Sequence, residues 1–148
     1  MTKYEPTRMR PKRSAQAERE VRRNTNLRQA RTCYGHLAGV AGIALMEELR
    51  RLKWVEESAT YASGNRVGYG LTAEGRLAMN DMGVDLAAAD KSTGNFAFGC
   101  LDWTERGHHL GGSLGRVLTT CVAERGLVSR TPGSREVTLQ GSPSAWFR

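Results

Sequence analysis

The chain has 148 residues, of which 39% are hydrophobic and 25% are charged, and its formal net charge is +7. This mixture is typical of a small globular protein and argues against both an intrinsically disordered chain and a coiled coil. We expect a cytoplasmic protein that does not bind membranes, because the apolar stretches are short, no signal peptide is evident, and three widely spaced cysteines form no disulfide framework.

The excess positive charge lies at the start of the chain. The first 31 residues carry ten basic and three acidic residues, whereas the rest carries twelve of each and is neutral. We predict that residues 1–30 form a basic arm, disordered at first and helical from about Ala15. A polyanion-binding arm and a solvated linker both fit this charge. If the arm binds DNA, its phosphate contacts come from Arg10, Lys12, Arg13, Arg19, Arg22, Arg23 and Arg28.

The body of the chain contains an internal repeat. Segments 36–55 and 109–128 match at an offset of 73, with six of 20 positions identical. In the first copy we predict a helix beginning at Leu37, a hairpin within 54–71, and two short helices capped by Thr72 and Asp85. In the second copy we predict a helix from Leu110 and a hairpin of strands 128–130 and 135–139.

The repeat predicts the architecture. We expect an α+β fold, mainly helical, with two winged-helix-like units of a helix plus a β-hairpin. The first unit would occupy residues 31–91 and the second residues 92–148, both after the basic arm. Basic residues near the hairpin turns could contact DNA phosphates, and these are Arg66, Arg130 and Arg135.

Five segments carry a family resemblance. They are RTCYGHLAG (31–39), YGLTAEGRLAM (69–79), MGVDLAA (82–88), CLDWTERGHHLGGSLGRVL (100–118) and PGSREVTL (132–139). In this order and spacing they resemble the C-terminal region of the longer ArsR-type winged helix-turn-helix transcription regulators, over about four fifths of the chain. The resemblance implies a transcriptional repressor that binds double-stranded DNA as a homodimer, or as a heterodimer with a full-length relative.

The arm departs from this family. The longer ArsR-type regulators usually carry a helix-turn-helix domain before the segment that matches RTCYGHLAG, and residues 1–30 do not resemble that domain. We therefore expect the accessory and dimerisation region of a regulator, with its last helix shortened or absent. The alternative is a protein-interaction or ligand-sensing module that does not bind DNA itself.

Five residues are candidate metal ligands. Cys33 and His36 form one pair, and Cys100, His108 and His109 form a second group, whose donor types suit zinc or a softer ion. Because the repeat places His36 and His109 at equivalent positions, the favoured interpretation is that both histidines are structural and that no cofactor is bound. A bound divalent metal is the alternative. No motif supplies an oxyanion hole or a phosphate loop, so we expect no enzyme activity.

Overall fold

The computed structural model describes residues 12–33, 35–91 and 95–148. Its helices are α1 (Ala15–Arg23), α2 (Asn26–Gln29), α3 (Gly39–Arg51), α4 (Ala73–Met82), α5 (Leu86–Asp90) and α6 (Gly112–Glu124). Its strands are β1 (Arg31–Cys33), β2 (His36–Ala38), β3 (Val55–Glu57), β4 (Tyr69–Leu71), β5 (Phe98–Leu101), β6 (His108–Gly111), β7 (Val128–Arg130) and β8 (Val137–Leu139). The fold is therefore α+β, as predicted, and the winged-helix assignment stays a prediction. None of the described helices is long and apolar enough to cross a membrane.

The repeat is visible as two units of hairpin, helix and hairpin. Helices α3 and α6 have 13 residues each and, like strands β3 and β7, are related by the offset of 73. The predicted helix starts at Leu37 and Leu110 are wrong, since both residues lie in strands. The strand turns into the helix at Gly39 and Gly112, whose φ angles of 79° and 84° favour glycine.

Within the described ranges, the strands pair as four antiparallel hairpins: β1–β2, β3–β4, β5–β6 and β7–β8. The sequence predicts the second and fourth of these but not the hairpins that open each unit. In the β1–β2 hairpin, Cys33 lies directly opposite His36. In the β5–β6 hairpin, Cys100 lies directly opposite His109. The two opening hairpins thus present the same pair of residue types at equivalent positions.

The two units pack reciprocally. Helix α3 packs on β6, helix α6 packs on β2, and β2 contacts β6. The backbone bond from Thr32 N to Arg135 O (2.9 Å) joins β1 to the β7–β8 hairpin, and that from Tyr69 N to Ala97 O (3.0 Å) joins β4 to the segment before β5. Buried apolar residues of both units consequently form one continuous core.

Two glycines allow the units to approach each other. A Cβ atom at Gly42 of α3 would lie 3.1 Å from the Cβ of His109 and 2.6 Å from the Leu37 carbonyl oxygen. At Gly115 of α6, the equivalent atom would lie 3.2 Å from the Cβ of His36 and would overlap the Leu110 carbonyl oxygen. The absence of side chains at these two positions therefore brings the two histidines together.

The helical part of the arm consists of two short helices, α1 and α2. Helix α1 begins after Ser14, whose Oγ accepts a hydrogen bond from Ala17 N, and ends at Asn24, where φ is 50°. Thr25 then caps α2 by accepting from Arg28 N. Asparagine tolerates the left-handed conformation and threonine favours the N-cap, so the chain turns here. The predicted disordered segment lies largely in residues 1–11, outside the described residues.

The predicted caps of α4 and α5 are confirmed. Thr72 Oγ1 accepts from Gly75 N (2.9 Å), and Asp85 Oδ1 accepts from Ala88 N (3.0 Å). Helix α4 extends to Met82 and stops at Gly83, where φ is 89°. Near the C-terminus, where a shortened last helix is expected, the chain forms a single 3₁₀ turn over Pro143–Ala145.

Candidate metal centre

Four of the five predicted metal ligands converge. The ligand atoms of Cys33, His36, Cys100 and His109 all lie within 4.8 Å of one another, and we call these four residues the Cys2His2 cluster. The two imidazoles face each other through their Nε2 atoms, which are 3.0 Å apart. Both histidines are buried, whereas both cysteines are partly exposed. The cluster therefore joins the two units and is accessible from its thiol side.

The alternation of side chains along β6 explains why the predicted ligand His108 does not join the cluster. His108 and His109 are adjacent on β6, and successive side chains of a strand point to opposite faces. His109 points to the cluster, whereas the His108 ring lies over Gly99 of β5, within 2.5 Å of where a Cβ atom on that glycine would stand. His108 is thus not a member of the cluster.

A fully buried carboxylate lies behind one of the ligands. Asp102 Oδ2 is 2.9 Å from His109 Nδ1 and accepts a second hydrogen bond from Gly39 N (2.6 Å) at the start of α3. Its other oxygen, Oδ1, forms an ion pair with the buried guanidinium of Arg31 (2.5 Å). A carboxylate on Nδ1 fixes the tautomer and leaves Nε2 free to bind a metal. Asp102 therefore orients His109 toward the cluster.

The protonation states of this region follow from its contacts. Burial opposes ionisation of Asp102, but hydrogen bonds from His109 and Gly39 and the charge of Arg31 outweigh it, so the pKa of Asp102 lies well below its usual value. Burial also opposes the charged form of His109, but the hydrogen bonds of its ring to Asp102 and Cys33 outweigh this effect. The pKa of His109 is therefore raised. The anionic partner Asp102 is thus available to support the imidazole.

The two thiols titrate as a pair. Hydrogen bonds from Cys100 and from both histidines lower the pKa of Cys33, while the hydrogen bond to Cys33 and burial raise the pKa of Cys100. Hydrogen bonding within the cluster therefore favours ionisation of Cys33 over ionisation of Cys100. A bound metal ion would require both thiols to be deprotonated, because thiolate and neutral imidazole are the ligating forms.

The cluster has the composition and nearly the dimensions of a closed tetrahedral site. With Zn–N and Zn–S bonds of about 2.1 and 2.3 Å, neighbouring donors of a tetrahedron lie roughly 3.3–3.8 Å apart. The 3.0 Å separation of the imidazole nitrogens is slightly below that range, and the widest separation, 4.8 Å, is about 1 Å above it. Small side-chain movements would bring all four donors onto one ion.

The predicted DNA contacts differ in their surroundings. Arg13 and Arg28 contact the body: Arg13 Nε donates to the Thr104 carbonyl oxygen, and Arg28 binds Glu105 with two hydrogen bonds. Arg66 is exposed but stacks on the Phe98 ring at 3.9 Å. The other described candidates are exposed to solvent, and these are Lys12, Arg19, Arg22, Arg23, Arg130 and Arg135. Arg10 lies outside the described residues.

Sequence reasoning did not identify Arg31 and Thr104 as part of the site. Arg31 is completely buried, and its guanidinium binds Asp102, the Thr104 hydroxyl (3.0 Å) and the Leu27 carbonyl oxygen (3.1 Å). Both residues lie in the two segments with the clearest family resemblance, 31–39 and 100–118. The sequence signal that could have identified this part of the site is the closeness of Arg31 to Cys33 and of Asp102 to Cys100 along the chain.

Comparison with known proteins identifies one curated relative. The chain is 31% identical over 137 residues to the protein named uncharacterized HTH-type transcriptional regulator YdfF of Bacillus subtilis (strain 168). The alignment covers 93% of this chain and 58% of YdfF. No protein-family model matches the chain, and no solved structure matches it. The chain is thus similar to a helix-turn-helix-type transcriptional regulator and spans somewhat more than half of that protein's length, in agreement with the predicted relationship to transcription regulators.

Proposed function

We propose that this chain binds one divalent metal ion through the Cys2His2 cluster and does so as part of a DNA-binding transcriptional regulator of the ArsR type. The observation that carries the metal assignment is the convergence of four ligand atoms within 4.8 Å, two from each unit. A tetrahedral set of two thiolates and two imidazoles favours zinc among the common divalent ions.

A purely structural role for the histidines accounts for less. It explains the bond between the Nε2 atoms of His36 and His109, because one ring can donate to the other. It does not explain why two cysteines approach the same point from two different hairpins. It also does not require the carboxylate on His109, which is the usual outer partner of a metal-bound histidine.

The regulator assignment rests on similarity and on charge. YdfF is named a transcriptional regulator, and the five segments quoted above resemble the C-terminal region of ArsR-type regulators. The exposed arginines of α1 give the chain a cationic surface suited to DNA phosphates. Dimerisation, as a homodimer or with a full-length relative, belongs to the same proposal. A sensing module that binds no DNA is the alternative.

Zinc content tests the metal assignment directly. The whole chain, expressed with zinc available, is expected to retain about one zinc ion per molecule, and Cys100→Ser is expected to lose most of it. Cys121→Ala is the matched control, because Cys121 Sγ contacts the Met82 carbonyl oxygen outside the cluster. Replacement by Co²⁺ should give the intense visible absorption of a tetrahedral thiolate complex. A wild-type chain that retains no zinc and leaves Co²⁺ hydrated would contradict the assignment.

A further inference from the structure

We propose that Cys33 and Cys100 form a reversible disulfide between the two units when the chain meets a peroxide. In the structure both residues are free thiols, as is Cys121. The disulfide itself needs no metal ion. Its consequence for metal binding rests on the proposed function, because the two thiols belong to the Cys2His2 cluster.

The sulfur atoms of Cys33 and Cys100 already lie close together. They are within 4.8 Å of each other, and the two side chains are hydrogen-bonded. A disulfide bond is about 2.05 Å long, so closing it requires less than about 3 Å of movement. Each cysteine can turn about its single side-chain torsion between staggered rotamers. The bond can therefore form without unfolding either opening hairpin.

A buried ion pair holds the two thiols in register. On β1, Arg31 precedes Cys33 by two residues, and residues two apart in a strand point to the same face. After β5, Asp102 follows Cys100 by two residues. The guanidinium of Arg31 binds Asp102 at 2.5 Å, and both side chains are completely buried. This contact fixes the two backbone segments relative to each other directly beside the thiols.

Exposure makes this pair the accessible thiols of the chain. Cys33 and Cys100 are partly exposed, whereas Cys121 is buried on α6 and its Sγ contacts the Met82 carbonyl oxygen. Thiols that oxidise reversibly are accessible to solvent and stand beside a second thiol that can resolve the first oxidation product. A peroxide is therefore expected to modify Cys33 and Cys100 and to spare Cys121.

The oxidation takes two steps that balance with one molecule of hydrogen peroxide. The thiolate of one cysteine attacks a peroxide oxygen, so that an S–O bond forms, the O–O bond breaks and hydroxide leaves. The thiolate of the second cysteine attacks the sulfur of the resulting sulfenic acid, which forms the S–S bond and releases a second hydroxide. The two hydroxides take up the two thiol protons. The thiols thus lose two electrons, and peroxide is reduced to two water molecules.

The disulfide and a metal ion exclude each other at this site. The proposed centre needs two thiolate ligands, and the sulfur atoms of a disulfide are no longer thiolates. Oxidation would leave only the imidazoles of His36 and His109 as ligands. A bound metal ion would in turn engage both sulfur atoms and slow their attack on peroxide. The same four residues therefore form either a reduced metal centre or an oxidised cross-link, and a dithiol reductant converts the second into the first.

Peptide mapping of the whole chain after peroxide treatment tests the disulfide. Trypsin places each cysteine on its own peptide, and these peptides span residues 32–50, 92–106 and 117–125. From the metal-free native chain, digested without reductant, we expect the first two peptides to be joined in at least about tenfold excess over any pair that includes the third. Cys121→Ala is the matched control and should give the same joined pair. In urea, the pair of Cys100 with Cys121 should predominate, because it closes a much shorter loop.

Zinc content, measured on the same samples, separates this inference from the proposed metal site. If both hold, the zinc-loaded chain forms the joined pair at least about tenfold more slowly than the metal-free chain, and the oxidised chain binds zinc only after reduction. A chain that holds no zinc but forms the joined pair contradicts the metal site and leaves the disulfide standing. A native chain that does not join peptides 32–50 and 92–106, or that pairs its cysteines as it does in urea, overturns the disulfide whatever its zinc content.

Discussion

Asp102 is a fully buried carboxylate whose two oxygens bind groups from four parts of the chain: β1, α3, the loop between β5 and β6, and β6 itself. Burial of a charge is costly unless every bonding site of the ion is satisfied. Here the guanidinium of Arg31 and the surrounding N–H and O–H groups supply that compensation. The residue therefore serves stability and ligand orientation at once.

Replacing Asp102 by asparagine separates charge from shape. We expect Asp102→Asn to lower the free energy of unfolding by about 3 kcal/mol, because the buried Arg31 would lose its ionic partner. We also expect zinc affinity to fall by about 10–100-fold, since the carboxylate no longer supports His109. Urea denaturation and competition with a chromogenic chelator measure the two effects.

Asp90→Asn is the matched control for this substitution. Asp90 pairs with Arg76 at 3.0 Å, but the two side chains are 44% and 48% exposed. Exposed ion pairs contribute about 0–1 kcal/mol, so the control should change stability by less than about 1 kcal/mol and leave zinc affinity unchanged. Equal effects of the two substitutions would contradict the role given to Asp102.

At the scale of elements, the contact between α6 and β2 depends on Gly115. Alanine at a helix interior normally stabilises by about 1 kcal/mol relative to glycine. We expect Gly115→Ala to have the opposite sign and to destabilise by about 1–3 kcal/mol, because the new methyl group meets the Leu110 carbonyl and the Cβ of His36. Thermal or urea denaturation measures the change.

Thr120→Ala on the same helix is the control for Gly115→Ala. Thr120 is exposed, and alanine is the better helix former, so this substitution should be neutral or slightly stabilising. A stabilising Gly115→Ala would mean that the two units are not in close contact at this point.

Helical periodicity predicts the long helices α3 and α6. The short strand β2 is not predicted, because it is buried and lacks a recognisable pattern. Leu45 and Leu49, and Leu114 and Leu118, mark the apolar faces of α3 and α6, and the sequence predicts both helices to within a few residues. Strand β2 (His36–Ala38) is buried at all three positions. A strand covered on both faces shows no alternation of polar and apolar residues, so the sequence predicts the first turn of a helix at this position.

The ligand types of the candidate site could be predicted from sequence, but not their pairing. The offset of 73 aligns His36 with His109, yet it aligns Cys33 with Arg106 and not with Cys100. The two opening hairpins have loops of different length, so a single offset cannot align both of their strands. The equivalence of the cysteines appears only in the strand register, where each lies opposite its histidine.

At the scale of the whole molecule, the charge distribution predicts that the proposed DNA binding depends on the arm. We expect replacement of Arg19, Arg22 and Arg23 together by glutamine to lower the salt slope by about 2.7, because each contacted phosphate contributes about 0.9. These side chains are exposed and lie on α1. Fluorescence anisotropy with a mixed-sequence duplex across a salt series measures the slope.

Two hairpin arginines provide the comparison for the arm. Replacement of Arg130 and Arg135 by glutamine tests whether the β7–β8 hairpin also contacts phosphates, since both side chains are exposed. If only the replacement of Arg130 and Arg135 lowers the salt slope, the DNA contact lies on the body and not on the arm. An unchanged slope in both sets would contradict phosphate contacts by the α1 arginines and by this hairpin.

The unequal loops of the two opening hairpins make the pseudo-symmetric cluster chemically unequal. Residues 34 and 35 alone separate the paired residues Cys33 and His36, whereas residues 102–107 separate β5 from β6 and include Asp102. Among the described residues, Asp102 is hydrogen-bonded to His109, and no carboxylate is hydrogen-bonded to His36. We therefore expect His109 to be the more firmly held imidazole in the proposed metal site. A competing thiol would displace His36 first, so metal exchange would begin in the first unit.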